Sequence, residues 1–189
     1  MKKYVLGSTS PRRRELLKNI IEEFEIISPS YDEKISDKPF SYELIEETAE
    51  KKCLSISETI DKKAIIISAD TVVIFDGVIL GKPKNYDNAL EMLTMLNGKT
   101  HKVVTSVCII DTETNKKIVQ SETSEVTFEN QEHAKLVYYI ENFKPFDKAG
   151  SYGIQELPAG FIKNIKGDFN NIVGFPTSLV EKMLLEITK

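Results

Sequence analysis

Several residue types and motifs that mark common functional classes are scarce or missing in this chain of 189 residues. Only two cysteines are present, Cys53 and Cys108, and they lack metal-type spacing, so buried and inert thiols are the expected interpretation. The two histidines, His101 and His133, are isolated, and neither an HExxH nor a CxxC motif occurs. These absences argue against a dedicated zinc site.

Long apolar runs are also missing. The longest, "AIII" at 64–67 and "VVIF" at 72–75, are far shorter than the ~20 residues needed to span a bilayer. The start "MKKYVLGSTS" carries two lysines but no long apolar core, so it does not resemble a signal peptide. We therefore expect a cytoplasmic protein that has no membrane partner.

Positive charge is not in excess, because the net charge is −4. Broad nucleic-acid binding normally requires an excess of basic surface, so no nucleic-acid partner is expected. Hydrophobic residues make up 41% and charged residues 29%, which is typical of a globular protein. The basic residues therefore become informative only where they cluster.

The order of apolar patterns predicts a mixed α/β chain. Strands are predicted at "YVLGS", "FEIISPS", "AIIISAD", "HKVVTSVCIID" and "KKIVQSETSEVTF", and helices at about 11–20, 41–60, 86–96, 131–142 and 176–187. Asp76-Gly77 predicts a tight hairpin turn in "VVIFDGVIL", and a second hairpin is predicted at Lys166-Gly167-Asp168. No repeat, low-complexity tract or linker is visible. We expect one mixed α/β domain over residues 1–189.

The stretch "STSPRRREL", residues 8–16, predicts a helix that begins with three arginines. Ser10 suits the N-cap and Pro11 the first helical position. The first turn is the positive end of the helix dipole, where each added cation tends to cost about 0.3–1 kcal/mol, so these arginines are expected to await an anion. Backbone amides, Ser8 and the arginines favour a phosphate. A solvated basic helix end or a targeting patch is the alternative, and no Walker A motif is present.

Asp70 directly follows a buried stretch and is predicted to lie at the carboxyl end of a strand, where α/β sheets usually hold ligands. Thr71 and Lys82 add groups suited to a polyphosphate and its metal. Magnesium prefers one or two carboxylates together with substrate phosphates, so Asp70 with a second acid such as Glu33 would suffice. The alternatives are that Asp70 caps a turn and that Glu33 belongs to an exposed loop.

Seven segments together resemble the Maf family of nucleoside triphosphate pyrophosphatases. They are "LGSTSPRRREL", "YDEK", "AEKKC", "SADTVV", "GVILGKP", "KAGSYGIQ" and "FNNIVGFP", which follow the family's order and spacing from about Tyr4 to Leu185. The resemblance implies the elongated mixed α/β fold of inosine triphosphate pyrophosphatases, with two lobes and a central cleft. It also implies a cytoplasmic enzyme that uses a divalent cation (Mg, Mn or Co) to cut a nucleotide between its α and β phosphates. A homodimer is one assembly that it allows.

The same resemblance implies roles for individual residues. Asp70 would be the general base that activates water, and Glu33 with Asp70 would be linked to the metal. The phosphate-facing positions are Ser8, Arg13, Lys52 and Lys82. Arg12, Thr71 and Gln155 match the branch of the family that acts on dTTP and UTP rather than the branch that acts on 7-methyl-GTP.

The chain departs from the family pattern at Gly7, at Cys53 and at Glu156-Leu157-Pro158. The first two changes replace the family's common alanine with another small residue. The third lies beside Gln155 and could reshape the pocket there. Three other functions stay open. They are the same chemistry on modified or other nucleotides, a nucleotide-binding regulator of cell division and septum formation without significant turnover, and a nucleotidyltransferase, for which no second substrate site is visible.

Overall fold

One β-sheet organises the structure, a computed structural model that describes residues 2–31, 35, 37–60 and 63–189. Within these residues the strands are β1 (Lys3–Leu6), β2 (Glu25–Ile26), β3 (Ala64–Phe75), β4 (Val78–Leu80), β5 (Thr100–Asp111), β6 (Lys116–Phe128) and β7 (Ile162–Lys166). The α-helices are α1 (Pro11–Lys18), α2 (Tyr42–Ser57), α3 (Tyr86–Leu96), α4 (His133–Phe143), α5 (Phe169–Val173) and α6 (Thr177–Ile187), with a short 3₁₀ helix at Ala149–Ser151. The strand order is β2-β1-β3-β5-β6-β7, and β4 pairs with β3.

The sheet combines parallel and antiparallel pairing, as a mixed α/β chain requires. β1 pairs in parallel with β2 and with the first part of β3, where Leu6 lies opposite Ile67. The long strands β3, β5, β6 and β7 pair antiparallel. The prediction of a mixed α/β fold is therefore confirmed.

One edge of β3 is left open over a short stretch. β5 occupies the other edge from Ile65 to Ile74. On the open side, the pairing with β1 ends at Ile67 and the pairing with β4 begins at Val73. Residues 68–72 therefore have no strand partner on that side among the described strands. We call this stretch the β3 gap; within it Ser68, Ala69 and Val72 are buried, whereas Asp70 and Thr71 are partly exposed.

Different helices cover the two faces of the sheet. On one face, Cys53 of α2 packs with Ile66 of β3. On the other face, Leu17 of α1 and Met183 of α6 pack with Ile67. Because side chains alternate along a strand, even-numbered residues of β3 point to the α2 face and odd-numbered residues to the α1 face.

Several local predictions are confirmed. The Ser41 hydroxyl accepts a hydrogen bond from the Leu44 amide and caps α2. Asp76 and Gly77 both have positive φ, 49° and 77°, as the predicted hairpin turn requires. Cys53 and Cys108 are both buried and free.

The helices that the structure describes include no candidate membrane span.

Three local predictions are wrong. Asp70 does not end a strand, because pairing with β5 carries β3 through it to Phe75. Residues 166–168 do not form a hairpin, because the Asp168 carboxylate accepts the Asn170 amide at 2.8 Å and begins α5. The stretch "FEIISPS" contributes only the two residues of β2, since β1, its only partner among the described strands, pairs with just those two.

Candidate active site

Lys52 and Asp70 form an ion pair on the α2 face of the sheet. Lys52 Nζ donates to Asp70 Oδ1. The two side chains are 13% and 15% exposed, so the pair is largely shielded but still open to solvent. Asp70 lies within the β3 gap, which places its carboxylate at an open strand edge. A paired carboxylate at an accessible edge is suited to contact a bound substrate.

Arg13 reaches from α1 into the β3 gap from the other face. Its Nε donates to Gly174 O at 2.9 Å, Nη1 to Ala69 O at 2.8 Å and Nη2 to Thr71 Oγ1 at 2.9 Å. Burial lowers the pKa of the Arg13 guanidinium, against the raising effect of nearby Asp70. Acceptors within the chain therefore already engage the Arg13 guanidinium, and its role toward an anion stays a prediction.

The N-terminal turn of α1 lies beside this cluster. Ser8 is buried, and its hydroxyl accepts from the Ser10 amide at 3.2 Å and from Arg13 Nη1 at 3.5 Å. Ser10 is the N-cap and Pro11 begins the helix, as predicted, but the Ser10 side chain makes no capping hydrogen bond. A helix N-terminus without a side-chain cap favours an anion.

Thr71 lies on the face opposite Asp70, because neighbouring side chains of a strand alternate. Its hydroxyl accepts from Arg13, shares a 2.9 Å hydrogen bond with Thr105 Oγ1 and lies 3.4 Å from Gly174 O. Thr71 therefore belongs to the Arg13 cluster. That its hydroxyl is suited to a polyphosphate stays a prediction.

A cavity of about 400 Å³ adjoins that cluster, and its walls include Arg12, Gln155 and Val173. Val173 precedes Gly174, whose carbonyl accepts from Arg13. Two of the three residues predicted to govern base choice therefore share one cavity. We call it the α1 cavity.

Two predicted site residues remain, Lys82 and Glu33. Among the described residues, Lys82 makes no hydrogen bond or ion pair with the Asp70–Lys52 pair or the Arg13 cluster. Lys82 follows β4 and is exposed, while the preceding Gly81 carbonyl accepts from the Gly150 amide at 3.0 Å. Glu33 lies outside the described residues. Its link to the metal stays a prediction.

The described residues were compared with the ligand sets that metal ions require. They contain no group of three or more His, Cys, Asp or Glu that could hold an ion. Magnesium often takes only one or two carboxylates and completes its shell with phosphate oxygens and water. Asp70 fits that mode, with Lys52 occupying one of its oxygens.

Sequence reasoning missed Gly174 as part of this site. Its φ is +112°, and a Cβ added there would lie 3.3 Å from Thr71 Oγ1. The available signal was the "VGFP" stretch, in which a glycine stands two residues before a proline. Such a glycine predicts a turn, but not which side chain its carbonyl meets.

Comparison with known sequences identifies the family. A family model described as "Maf-like protein" matches residues 3–187. The chain belongs to the Maf family. Similar Maf relatives include the dTTP/UTP pyrophosphatases of Alkaliphilus oremlandii (43% identical, over 93% of this chain and 91% of the relative) and of Thermotoga maritima (40% identical, over 96% and 88%). The resemblance inferred from the seven segments is confirmed.

Solved structures of similar shape include Ham1 proteins. The Staphylococcus aureus Ham1 protein superposes with a TM-score of 0.53 at 14% identity, over 98% of this chain and 99% of that one. The Coxiella burnetii Ham1 protein gives 0.50 at 12% identity, over 98% and 100%. At such identity the likeness shows the fold alone. This Maf chain therefore shares the mixed α/β fold of that group, as expected.

Proposed function

We propose that this chain, acting as one unit over residues 1–189, hydrolyses dTTP and UTP between the α and β phosphates. The products are the nucleoside monophosphate and pyrophosphate. The observation that carries the proposal is the Asp70–Lys52 pair at the β3 gap, which Arg13 reaches from the other face of the sheet in contact with Ser8. A carboxylate, two cations and a helix N-terminus together suit attack by water on a bound polyphosphate. The names of relatives about 40% identical supply the two nucleotides.

Asp70 is the proposed general base, since its carboxylate lies at the open edge and can accept a proton from water. Lys52 holds this carboxylate in place, and its ammonium offsets negative charge that develops on the phosphates. A divalent cation (Mg, Mn or Co), held by Asp70, Glu33 and the phosphates, would neutralise phosphate charge when bound.

The proposed phosphate-facing residues are Ser8, Arg13, Lys52 and Lys82. Because acceptors of the chain engage the Arg13 guanidinium, this residue contributes mainly positive charge and a fixed position for the β3 gap. Exposed Lys82 is free to turn toward a bound triphosphate, while the Gly81–Gly150 hydrogen bond anchors the backbone beside it.

Base choice is proposed to depend on Arg12, Thr71 and Gln155. A glutamine side chain both donates and accepts, which suits the O4 and N3–H edge shared by thymine and uracil. The α1 cavity, at about 400 Å³, lies within the usual range of small-ligand sites. Thr71 supports this wall through Gly174 rather than by lining the cavity.

The test is an analysis of products from dTTP with magnesium, manganese or cobalt and no acceptor. We expect dTMP and pyrophosphate in equal amounts. Formation of dTDP and orthophosphate would contradict the cleavage position. Tight dTTP binding without turnover would favour the regulator of cell division, and release that requires an acceptor would favour a nucleotidyltransferase. The cytoplasmic location and the homodimer stay predictions from the resemblance.

A further inference from the structure

Lys148 places a buried ammonium between two acidic side chains. Its side chain is only 8% exposed. Nζ lies 2.8 Å from Asp147 Oδ1 and 3.1 Å from Glu156 Oε2. A buried charge is stable only when it is paired, and these carboxylates supply the partners: Asp147, itself 65% exposed, by a hydrogen bond and Glu156 by an ion pair.

Each acidic partner lies next to a residue that lines the α1 cavity. Asp147 Oδ2 lies 3.8 Å from Arg12 Nη1. Burial acts to raise the pKa of Asp147, but Lys148 and Arg12 lower it overall. Glu156 directly follows Gln155, the residue on the other wall. Lys148 therefore connects the two walls through charged neighbours.

The lysine also supports the turn that carries Gln155. The Gly153 amide donates to Tyr139 Oη at 3.0 Å, and the Glu156 amide donates to Gly153 O at 2.9 Å. A Cβ added to Gly153 would lie 2.9 Å from Lys148 Cε, so the stem of the lysine packs directly against this turn. The position of this turn thus depends on the Tyr139 hydroxyl and on the stem of Lys148.

We propose that Lys148 is a positioning residue for base recognition, which fixes Gln155 through Glu156 and Arg12 through Asp147. The proposal rests on the proposed dTTP/UTP function, in which Arg12 and Gln155 face the base. The acid at position 156, where the chain departs from the family pattern, gives the buried lysine its second partner.

The test compares Lys148→Met and Glu156→Gln with the unsubstituted protein on dTTP, UTP and CTP. Lys148→Met keeps an apolar stem without the ammonium, and Glu156→Gln keeps the side-chain shape without the charge. Displaced base contacts should raise KM for dTTP about tenfold and reduce the dTTP-to-CTP ratio of kcat/KM about tenfold, with a smaller change in kcat. Lys163→Met, at an exposed lysine of β7, is the control and should leave all values unchanged.

A merely structural role would act differently. It would lower the amount of folded enzyme and hence the apparent kcat for every nucleotide alike, leaving KM and the ratio unchanged. That result in both variants overturns the proposal. If Lys148→Met does not fold, Glu156→Gln decides by the same two criteria.

Failure of the proposed dTTP/UTP function can be distinguished from failure of the positioning role, because in the first case the unsubstituted protein would not hydrolyse dTTP. In that case dTMP binding, measured by calorimetry, replaces the kinetic comparison. Weaker dTMP binding by the two variants supports the positioning role. Binding equal to that of the unsubstituted protein overturns it.

Discussion

Lys52 and Asp70 are 18 residues apart in the chain, yet their side chains meet at the open edge of β3. The alternation of β3 points Asp70 toward α2, and packing of Cys53 against Ile66 sets the side of α2 that faces the strand. Lys52 is the side-chain partner that orients this carboxylate among the residues that the structure describes. Removing that lysine should affect both stability and turnover.

Lys52→Met is expected to lower kcat and to reduce the free energy of unfolding by about 1–3 kcal/mol, because a largely buried carboxylate loses its partner. Lys51→Met is the matched control on the same helix. Lys51 is 40% exposed and pairs with Glu47 on the surface, so its loss should leave the free energy of unfolding nearly unchanged. Urea unfolding and dTTP turnover test both variants. Equal effects of the two substitutions would contradict the assigned role of Lys52.

Arg13→Ala is expected to reduce both activity and thermal stability. The Ala69 carbonyl would lose its side-chain donor, at a cost of about 1–3 kcal/mol if it is left unsatisfied, while Gly174 O and Thr71 Oγ1 would each lose one of their contacts. Arg14→Ala, at the exposed neighbour, is the control and should leave Tm unchanged. If Arg13→Ala lost activity at an unchanged Tm, Arg13 would serve the substrate alone and the contacts described here would be unimportant.

Local signals made much of the fold predictable. The cap at Ser41 and the turn at Asp76-Gly77 depend on a few neighbouring residues, so the types of those residues were enough to predict both. The course of β3 through Asp70 depends on pairing with β5, which no local pattern specifies. A polar pair, Asp70-Thr71, inside an apolar run therefore had the appearance of a strand end.

The site was less predictable than the fold. The resemblance named Lys52 and Asp70 separately, and only the packing of α2 on the sheet shows that they pair. Arg13 meets Gly174 across 161 residues, a contact that spacing cannot reveal. Lys148 stands among small residues in "DKAGS", a setting that gives no sign of a buried ammonium.

Gln155→Glu is expected to erode the preference for dTTP and UTP over purine nucleotides, because it removes a donor and adds charge beside the base. Unpaired polar groups in a recognition site can change kcat/KM by about 10²-fold or more. The measurement is kcat/KM for dTTP, UTP, CTP, GTP and 7-methyl-GTP. Gln120→Glu, on β6 away from the cavity, controls for the added charge. Preference of the unsubstituted protein for a guanine nucleotide would refute the assignment of base choice.

His101 should make stability depend on pH. Burial lowers its pKa to about 4, and its Nε2 shares a 2.7 Å hydrogen bond with Tyr152 Oη. The unfolded chain takes up a proton below about pH 6.5, whereas the folded chain stays neutral at this site down to about pH 4. This contribution to stability is complete above pH 6.5 and is lost at about 1.4 kcal/mol per pH unit as the pH falls toward 4.

Urea unfolding between pH 4 and 7 measures that dependence. His101→Gln should flatten the slope, because glutamine does not titrate. His133→Gln, at an exposed histidine, should keep the slope of the unsubstituted protein. An unchanged slope in His101→Gln would assign the pH dependence to other groups.

The central claim, that Asp70 at the β3 gap activates water for cleavage of dTTP, is tested most directly by Asp70→Asn. The amide keeps the shape of the side chain but cannot accept a proton as the carboxylate does. Asp76→Asn is the matched control, because it lies in the exposed hairpin turn of the same strand pair, where asparagine is equally favoured. With both variants folded and Asp76→Asn as active as the unsubstituted protein, the account predicts that Asp70→Asn lowers kcat for pyrophosphate release by at least ~10²-fold. Turnover of Asp70→Asn within about tenfold of the unsubstituted protein would contradict it.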